Sequence, residues 1–261
     1  MNPLIALVRS RNLSTVIQIV FDKIFRPRVS GFNSIKNLFI NKKGVEIGGP
    51  SRIFSDKGIM PVYSLAENVD GCNFNTCTTW EGKIEEGKNY RFVEGKCGYQ
   101  FICEGVDVPV IPKNSYDFVL SSNSLEHISN PLKAVNNWLQ LLKPDGVIVL
   151  ILPRKESNFD HKRPVTSFQH LMDDYNNNVG EDDTTHVEEI LQLHDLSLDP
   201  LAGGYENFKK RSLDNINNRC LHHHVFDLKL LEEICGHFNL SVLVKTRRTI
   251  DYTIVAKKVG E

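Results

Sequence analysis

Histidines and acids crowd into one stretch of this sequence. Seven of the nine histidines fall between residues 154 and 224, where Asp160-His161 and His194-Asp195 are adjacent pairs and His222-His223-His224 is a run. A carboxylate beside an imidazole can orient it as a general base. A further pair, Glu126-His127, directly follows an apolar run that reads as a strand. Removing a proton from a hydroxyl at neutral pH calls for such a base, or for a divalent cation that stabilises the alkoxide. The candidate bases are His127, His161 and the run 222–224, represented by His223.

A second kind of chemistry is suggested by Gly44-Val45-Glu46-Ile47-Gly48-Gly49-Pro50-Ser51, a buried strand running into a glycine turn. Glycine leaves no Cβ between the backbone and a ligand. Glu46 can accept from an ammonium or a hydroxyl. Asp70, near the end of the second-strand region, can take both hydroxyls of a ribose, and Glu104 after the third strand can receive an adenine amino group. Arg163 and Arg211 are candidates for a diphosphate or a phosphorylated sugar.

The elements that must hold these residues follow from apolar patterning. Strands are expected at Gly44–Ile47, somewhere within 62–69, at Tyr99–Cys103, at Tyr116–Ser121 and at Val147–Leu152. A helix is expected over Pro131–Leu142, closed by Lys143-Pro144-Asp145-Gly146, and another over Asp227–Cys235. Leu240–Lys245 and Tyr252–Lys257 read as a closing antiparallel pair. The long stretch 154–224 breaks this rhythm and reads as a substrate-covering insertion, because Phe159, Phe168, Tyr175, Tyr205 and Phe208 give it ordering residues.

Composition excludes several classes. With 41% hydrophobic and 24% charged residues the chain has material for a core, and a net charge of -1 gives no basic field for long nucleic acid. The six cysteines form no CxxC pair, which suits reduced thiols in a cytoplasmic protein. In the stretch 4–25, Arg9, Arg11, Gln18, Asp22 and Lys23 interrupt the apolar run, so neither a membrane span nor a signal peptide is expected. Leu13, Val16, Ile17, Val20, Phe21 and Ile24 instead form one stripe of an amphipathic helix, suited to capping the domain or to a homodimer contact.

The most specific pattern is Ser115-Tyr116-Asp117-Phe118-Val119, then Leu125-Glu126-His127, Asn130-Pro131 and Leu142-Lys143-Pro144-Asp145-Gly146. In order and spacing it resembles the class I S-adenosylmethionine-dependent methyltransferases, across most of residues 40–257. The resemblance implies an α/β, Rossmann-like fold: a seven-stranded, mostly parallel sheet with an antiparallel last strand. Residues 41–261 would be the methyltransferase domain, with the insertion 154–224, and 1–40 a helical cap. It implies S-adenosylmethionine held by Glu46, Gly48, Gly49 and Pro50, with Asp70, Glu104, Gly105, Ser122 and Asn123 completing the site. Pro50 and Arg52 replace two glycines of the family's loop.

Glu126-His127 with His224-Val225-Phe226-Asp227 is similar to a metal-binding arrangement of some 2′-O-methyltransferases, implying Mg or Mn on Glu126, His127 and His224. Asn123 replaces that arrangement's first carboxylate. The run from Phe159 to Phe226 resembles a subgroup associated with bacterial polysaccharide and sugar modification. The expected reaction is O-methylation of a sugar, nucleotide-sugar or glycan-linked group; the alternatives are N-methylation of an amino sugar or small molecule, and a non-catalytic S-adenosylmethionine-binding partner.

Overall fold

The computed structural model describes residues 27–259, together with Ile17, Val20, Phe21, Ile24 and Phe25. The amphipathic N-terminal helix therefore lies mostly outside the described residues. Ten strands follow in chain order: β1 (Lys43–Ile47), β2 (Asn68–Asn73), β3 (Cys77–Thr78), β4 (Gly82–Lys83), β5 (Gly87–Val93), β6 (Lys96–Ile102), β7 (Tyr116–Ser122), β8 (Leu142–Pro153), β9 (Leu240–Arg247) and β10 (Asp251–Lys258). The helices are α1 (Phe32–Ile35), α2 (Pro131–Leu141), α3 (Phe168–Asn176), α4 (Val187–Leu193), α5 (Tyr205–Leu213), α6 (Asn215–Asn218) and α7 (Leu228–His237).

Eight strands form one sheet in the order β5-β6-β2-β1-β7-β8-β10-β9, and β3 pairs only with β4. β6, β2, β1, β7 and β8 run parallel, while β10 lies antiparallel between β8 and β9. The fold is Rossmann-like, with the expected strands plus one more: β5 pairs antiparallel with β6 at the edge. Glu94-Gly95 turns that hairpin, with Gly95 at φ +77°.

Parallel strands covered on both faces need near-continuous apolar runs. Phe118-Val119-Leu120 and Val147–Leu152 supply them, and all are buried. Val119, Ile148 and Leu150 pack on one face with Leu132 and Trp138 of α2 and Leu231 of α7. Phe118, Leu120, Val149 and Ile151 pack on the other with Phe39, Phe54 and Met60, which come from the short turns and irregular segments after α1 rather than from long helices. Each such side chain contributes about 1.5–3 kcal/mol by leaving water.

Two local details position the site. Asn130 caps α2 by accepting from the Lys133 amide at 3.1 Å, with Pro131 next, so α2 begins where the chain leaves β7. β2 begins later than expected, at Asn68, because residues 62–66 form a turn closed by Ala66 N–H to Val62 C=O at 3.0 Å. The strand end is therefore Asn73, not Asp70.

The segment 154–224, expected as an insertion, contains α3, α4, α5 and α6 and has its own small core of Val187, Ile190, Ala202, Phe208 and Leu221. Arg163 ties it together from a fully buried position. Its guanidinium donates to Asp160 at 3.0 Å, Glu189 at 2.7 Å and the carbonyls of His222 and His223 at 2.7 and 3.0 Å. Among the described residues no helix is long and apolar enough to cross a membrane.

Candidate active site

A cavity of about 740 Å³ opens at the carboxyl ends of the parallel strands. That position is where open α/β sheets bind ligands, and the size falls within the roughly 300–1,000 Å³ of small-molecule sites. One wall comes from the strand ends: Gly48 and Pro50 after β1, Asn73 and Phe74 after β2, Glu104 to Val106 after β6, and Ser122 to Ser124 after β7. The opposite wall comes from the β3–β4 hairpin, with Thr78 to Glu81, and from the insertion, with Phe159, Arg211, Arg219 and His222.

The glycine turn is shaped by contact. Gly48 sits at φ +80°, and a Cβ there would lie 2.3 Å from Ser124 Oγ, so bare backbone faces the cavity. A Cβ on Gly49 would lie 2.3 Å from both the Glu46 carboxyl carbon and Tyr90 Oη. Gly49 therefore serves packing beneath the turn, and the Gly49–Pro50 peptide is cis. The Gly49 carbonyl accepts from Asn73 Nδ2 at 2.9 Å, which couples the β1 and β2 strand ends.

Two acids expected in the site are turned elsewhere. Glu46 is buried behind the turn, accepting from Tyr63 at 2.5 Å, Tyr90 at 2.6 Å and the Ser51 amide at 3.1 Å. Burial raises its pKa against the lowering pull of these hydrogen bonds. Asp70 lies inside β2, where it accepts from Asn68 Nδ2, the Tyr99 amide and Tyr116 Oη at 2.7–2.8 Å. Neither lines the cavity. The residues that do occupy the β2 strand end are Asn73 and Phe74; the Asn-Phe-Asn-Thr run at 73–76, a turn signal after the strand, was the mark available in sequence.

Glu104, Gly105, Ser122 and Asn123 do line the cavity, as do Gly48 and Pro50. Glu104 accepts from Arg219 Nη2 at 2.6 Å, and Gly105 offers its carbonyl to Trp138 Nε1 at 2.7 Å. Arg211 is paired with Asp199 at 2.7 Å and Arg163 is buried away from the cavity, so neither matches the phosphate role read from sequence.

The candidate bases separate in the same way. His161 Nε2 pairs with Asp195 at 2.9 Å and does not line the cavity. His223 is buried against Asn215, with Nε2 at 3.0 Å from Nδ2, and burial lowers it to about 4. His127 and His222 do line the cavity, ring against ring at 4.6 Å. His127 Nδ1 lies 2.9 Å from the Leu221 carbonyl, and burial, then the neighbouring His222, holds its pKa well below the usual range.

His222 is the more basic of the two. Its Nδ1 lies 2.5 Å from Asp160 Oδ2. Burial alone would lower His222, but the charge and hydrogen bond of Asp160, joined by Glu126, raise it. Asp160 is correspondingly held down at about 2: burial opposes this, and His222 and Arg163 outweigh it. With Nδ1–H committed to Asp160, Nε2 is the ring nitrogen able to take a proton.

The metal set read from sequence is corrected by the fold. Glu126 and His127 meet His222, not His224. His224 is fully buried elsewhere, with Nε2 at 3.0 Å from the Ser129 carbonyl. Mg and Mn want several oxygen ligands, whereas this set offers one carboxylate and two imidazoles, and Asp160 favours the protonated form of His222. The residues present do not fit such a cation. The Glu126 carboxyl instead lines the cavity as a buried group without a hydrogen-bond partner among the described residues, raised by burial to about 7.

Trp80 lies on the cavity wall half-exposed, its ring 5.1 Å from that of His127.

A family model described as "Methyltransferase domain" matches residues 41–244. No curated protein matches the chain. Among solved structures, the chain is similar to a SAM-dependent methyltransferase from Aquifex aeolicus, at 11% identity over 99% of this chain and 100% of that one, TM-score 0.46. It is also similar to a SAM-dependent methyltransferase from Methanosarcina mazei, at 13% identity over 87% and 98%, TM-score 0.45. An O-methyltransferase family 2 protein from Planctomyces limnophilus, in complex with apigenin, is 10% identical over 84% of this chain and 50% of that one, TM-score 0.43. Likenesses this distant say nothing about substrate.

Proposed function

The chain belongs to the methyltransferase-domain family, and from that premise we propose that it methylates a hydroxyl of a sugar, nucleotide-sugar or glycan-linked group, with His222 as the base. S-adenosylmethionine, when bound, supplies a methyl group activated on a sulfonium sulfur. The strand-end wall suits it: Gly48 and Pro50, Asn73, Glu104 and Gly105, and Ser122 and Asn123 line one continuous surface. Asn73 Nδ2 is committed to Gly49, which leaves Oδ1 to accept from a ribose hydroxyl.

The observation that carries the base assignment is the Asp160–His222 pair, 2.5 Å apart and both buried, of which His222 lines the cavity and Asp160 lies behind it. A neutral His222 keeps Nδ1–H on Asp160 and accepts the acceptor hydroxyl's proton at Nε2; Asp160 then stabilises the imidazolium. Glu126, close by and buried, adds to that stabilisation. Such general-base assistance is worth about 10²–10⁴ in rate. His222, Asp160 and Glu126 are all buried, and their low-polarity surroundings strengthen these interactions.

A carbohydrate acceptor is supported by Trp80 and Phe159, which line the insertion side of the cavity and offer apolar faces to the C–H surface of a sugar ring. Glu81 on the same side provides a hydroxyl partner. The test is radiolabelled methyl transfer to a panel of sugars, nucleotide-sugars and glycans. Transfer to oxygen that fails in His222→Gln supports the reading. Transfer to an amino nitrogen at full rate in His222→Gln replaces it with N-methylation, in which a free amine needs no base.

A further inference from the structure

A second cluster of ligating side chains lies within the insertion, outside the cavity wall: His170 and Asp174 one turn apart on α3, His186 at the start of α4, and His224 on the segment leading to α7. One ligand atom from each lies within 4.8 Å of the others. His170 Nε2 is 3.2 Å from His186 Nε2 and 3.5 Å from Asp174 Oδ2.

Those separations have a geometric meaning. Four ligands at about 2.0–2.1 Å from a zinc ion in a tetrahedron stand about 3.3–3.4 Å from one another. The closest pair is two imidazole nitrogens, of which at most one can donate to the other when both rings are neutral; a cation between them satisfies both lone pairs at once. Each of the two buried members also has one polar atom without a partner. Asp174 Oδ2 and His224 Nδ1 have no hydrogen-bond partner among the described residues, and both residues are less than one-tenth exposed. Buried polar atoms left so are costly.

The surroundings complete the picture. A ligating histidine usually donates its second ring N–H to a carbonyl or carboxylate. His224 has the Ser129 carbonyl at 3.0 Å for that purpose. His170 and His186 are the half-exposed members, which gives an ion a way in. Three imidazoles and one carboxylate are a borderline donor set that suits zinc far better than Mg or Ca.

We propose that His170, Asp174, His186 and His224 bind a structural zinc ion. The ion joins α3, the start of α4 and the segment 221–226, three pieces of the insertion distant in sequence. It also fixes the stretch of chain that carries His222 into the cavity, two residues before His224. The site is independent of which acceptor is methylated, and its test reads metal rather than turnover.

The experiment is metal analysis of the full chain after incubation with zinc and desalting, paired with thermal melts with and without a chelator. Wild type retains about one zinc per chain and melts at a higher temperature with it. His170→Ala/His186→Ala, which changes only the half-exposed ligands, loses the ion and the zinc-dependent shift. Glu126→Gln keeps both. Should the double variant fail to fold, cobalt replaces zinc in wild type: intense visible absorption of a four-coordinate nitrogen-oxygen site supports the assignment, and its absence overturns it. No stoichiometric zinc in wild type, zinc retained by the folded double variant, or zinc lost with Glu126→Gln but not with the double variant would each overturn the proposal.

Discussion

Asp160 Oδ2 and His222 Nδ1 stand 2.5 Å apart although 62 residues separate them in the chain. The insertion bends back on itself so that its first turn orients a ring supplied by its last segment. Arg163, three residues after Asp160, holds the arrangement by bonding both the Asp160 carboxylate and the His222 carbonyl. Base, orienting acid and anchoring cation thus come from the single segment 154–224, which lines the cavity opposite the strand ends.

Replacing the base should separate chemistry from cofactor binding. His222→Gln is expected to lower kcat by about 10²–10⁴. Affinity for S-adenosylhomocysteine should stay within a few-fold of wild type. Asp160→Asn should lower kcat in the same direction but by less, since the ring remains. Steady-state kinetics and calorimetry on the same preparations check both.

Gly48 tests the cofactor wall. At φ +80°, with the Cβ position 2.3 Å from Ser124 Oγ, Gly48→Ala forces both a left-handed backbone onto alanine and a shift of Ser124. The backbone alone costs about 1–2 kcal/mol. A stability loss of at least that size, with weaker S-adenosylhomocysteine binding, is expected in denaturation and titration experiments.

Trp80 should report on the acceptor. It is half-exposed on the hairpin side of the cavity, away from the strand-end wall. Trp80→Ala should raise the acceptor's KM several-fold and leave cofactor affinity unchanged, as initial-rate measurements varying each substrate will read.

Arg163 should matter for folding more than any exposed cation. Its side chain is almost fully buried and its partners Asp160 and Glu189 are ionisable. Removing one member of a buried ion pair typically costs about 3–5 kcal/mol because the other charge is left in place. Arg163→Met should lower the denaturation midpoint accordingly.

The insertion should also be the acid-labile part. Burial would raise Asp199, but hydrogen bonds from His194 and Arg211 hold it at about 2; Asp195 is held at about 2 by Ser197, His161 and Lys162 against its own desolvation. A carboxylate with a depressed folded pKa stabilises the fold above its unfolded pKa of about 3.9, and that contribution is lost as pH falls toward 2. Hydrogen exchange should show residues 154–224 losing protection between about pH 4 and pH 2, with the window narrowed in Asp199→Asn.

The sequence made much of this architecture readable. The apolar runs at 116–121 and 147–152 and the capped helix after Asn130 appear in place because burial on two faces leaves few other patterns. β2 was not readable: Asn68-Val69-Asp70-Gly71-Cys72-Asn73 is polar, and its strand state comes from pairing with β1 and β6. That shift moved Asp70 inside the strand and put Asn73 at its end. Among the histidines, His161 and His223 were indistinguishable from His222 by spacing, since the choice depends on which way an irregular segment turns each ring. The second histidine cluster was unreadable for the same reason: its members come from residues 170, 174, 186 and 224, with no motif linking them.

A crystal structure with S-adenosylhomocysteine tests the central claim most directly. The account predicts the adenosyl group against Gly48, Asn73 and Glu104 to Val106, with the sulfur directed toward the part of the cavity that His222 lines. A ligand bound elsewhere, or one whose sulfur faces away from His127 and His222, would contradict it.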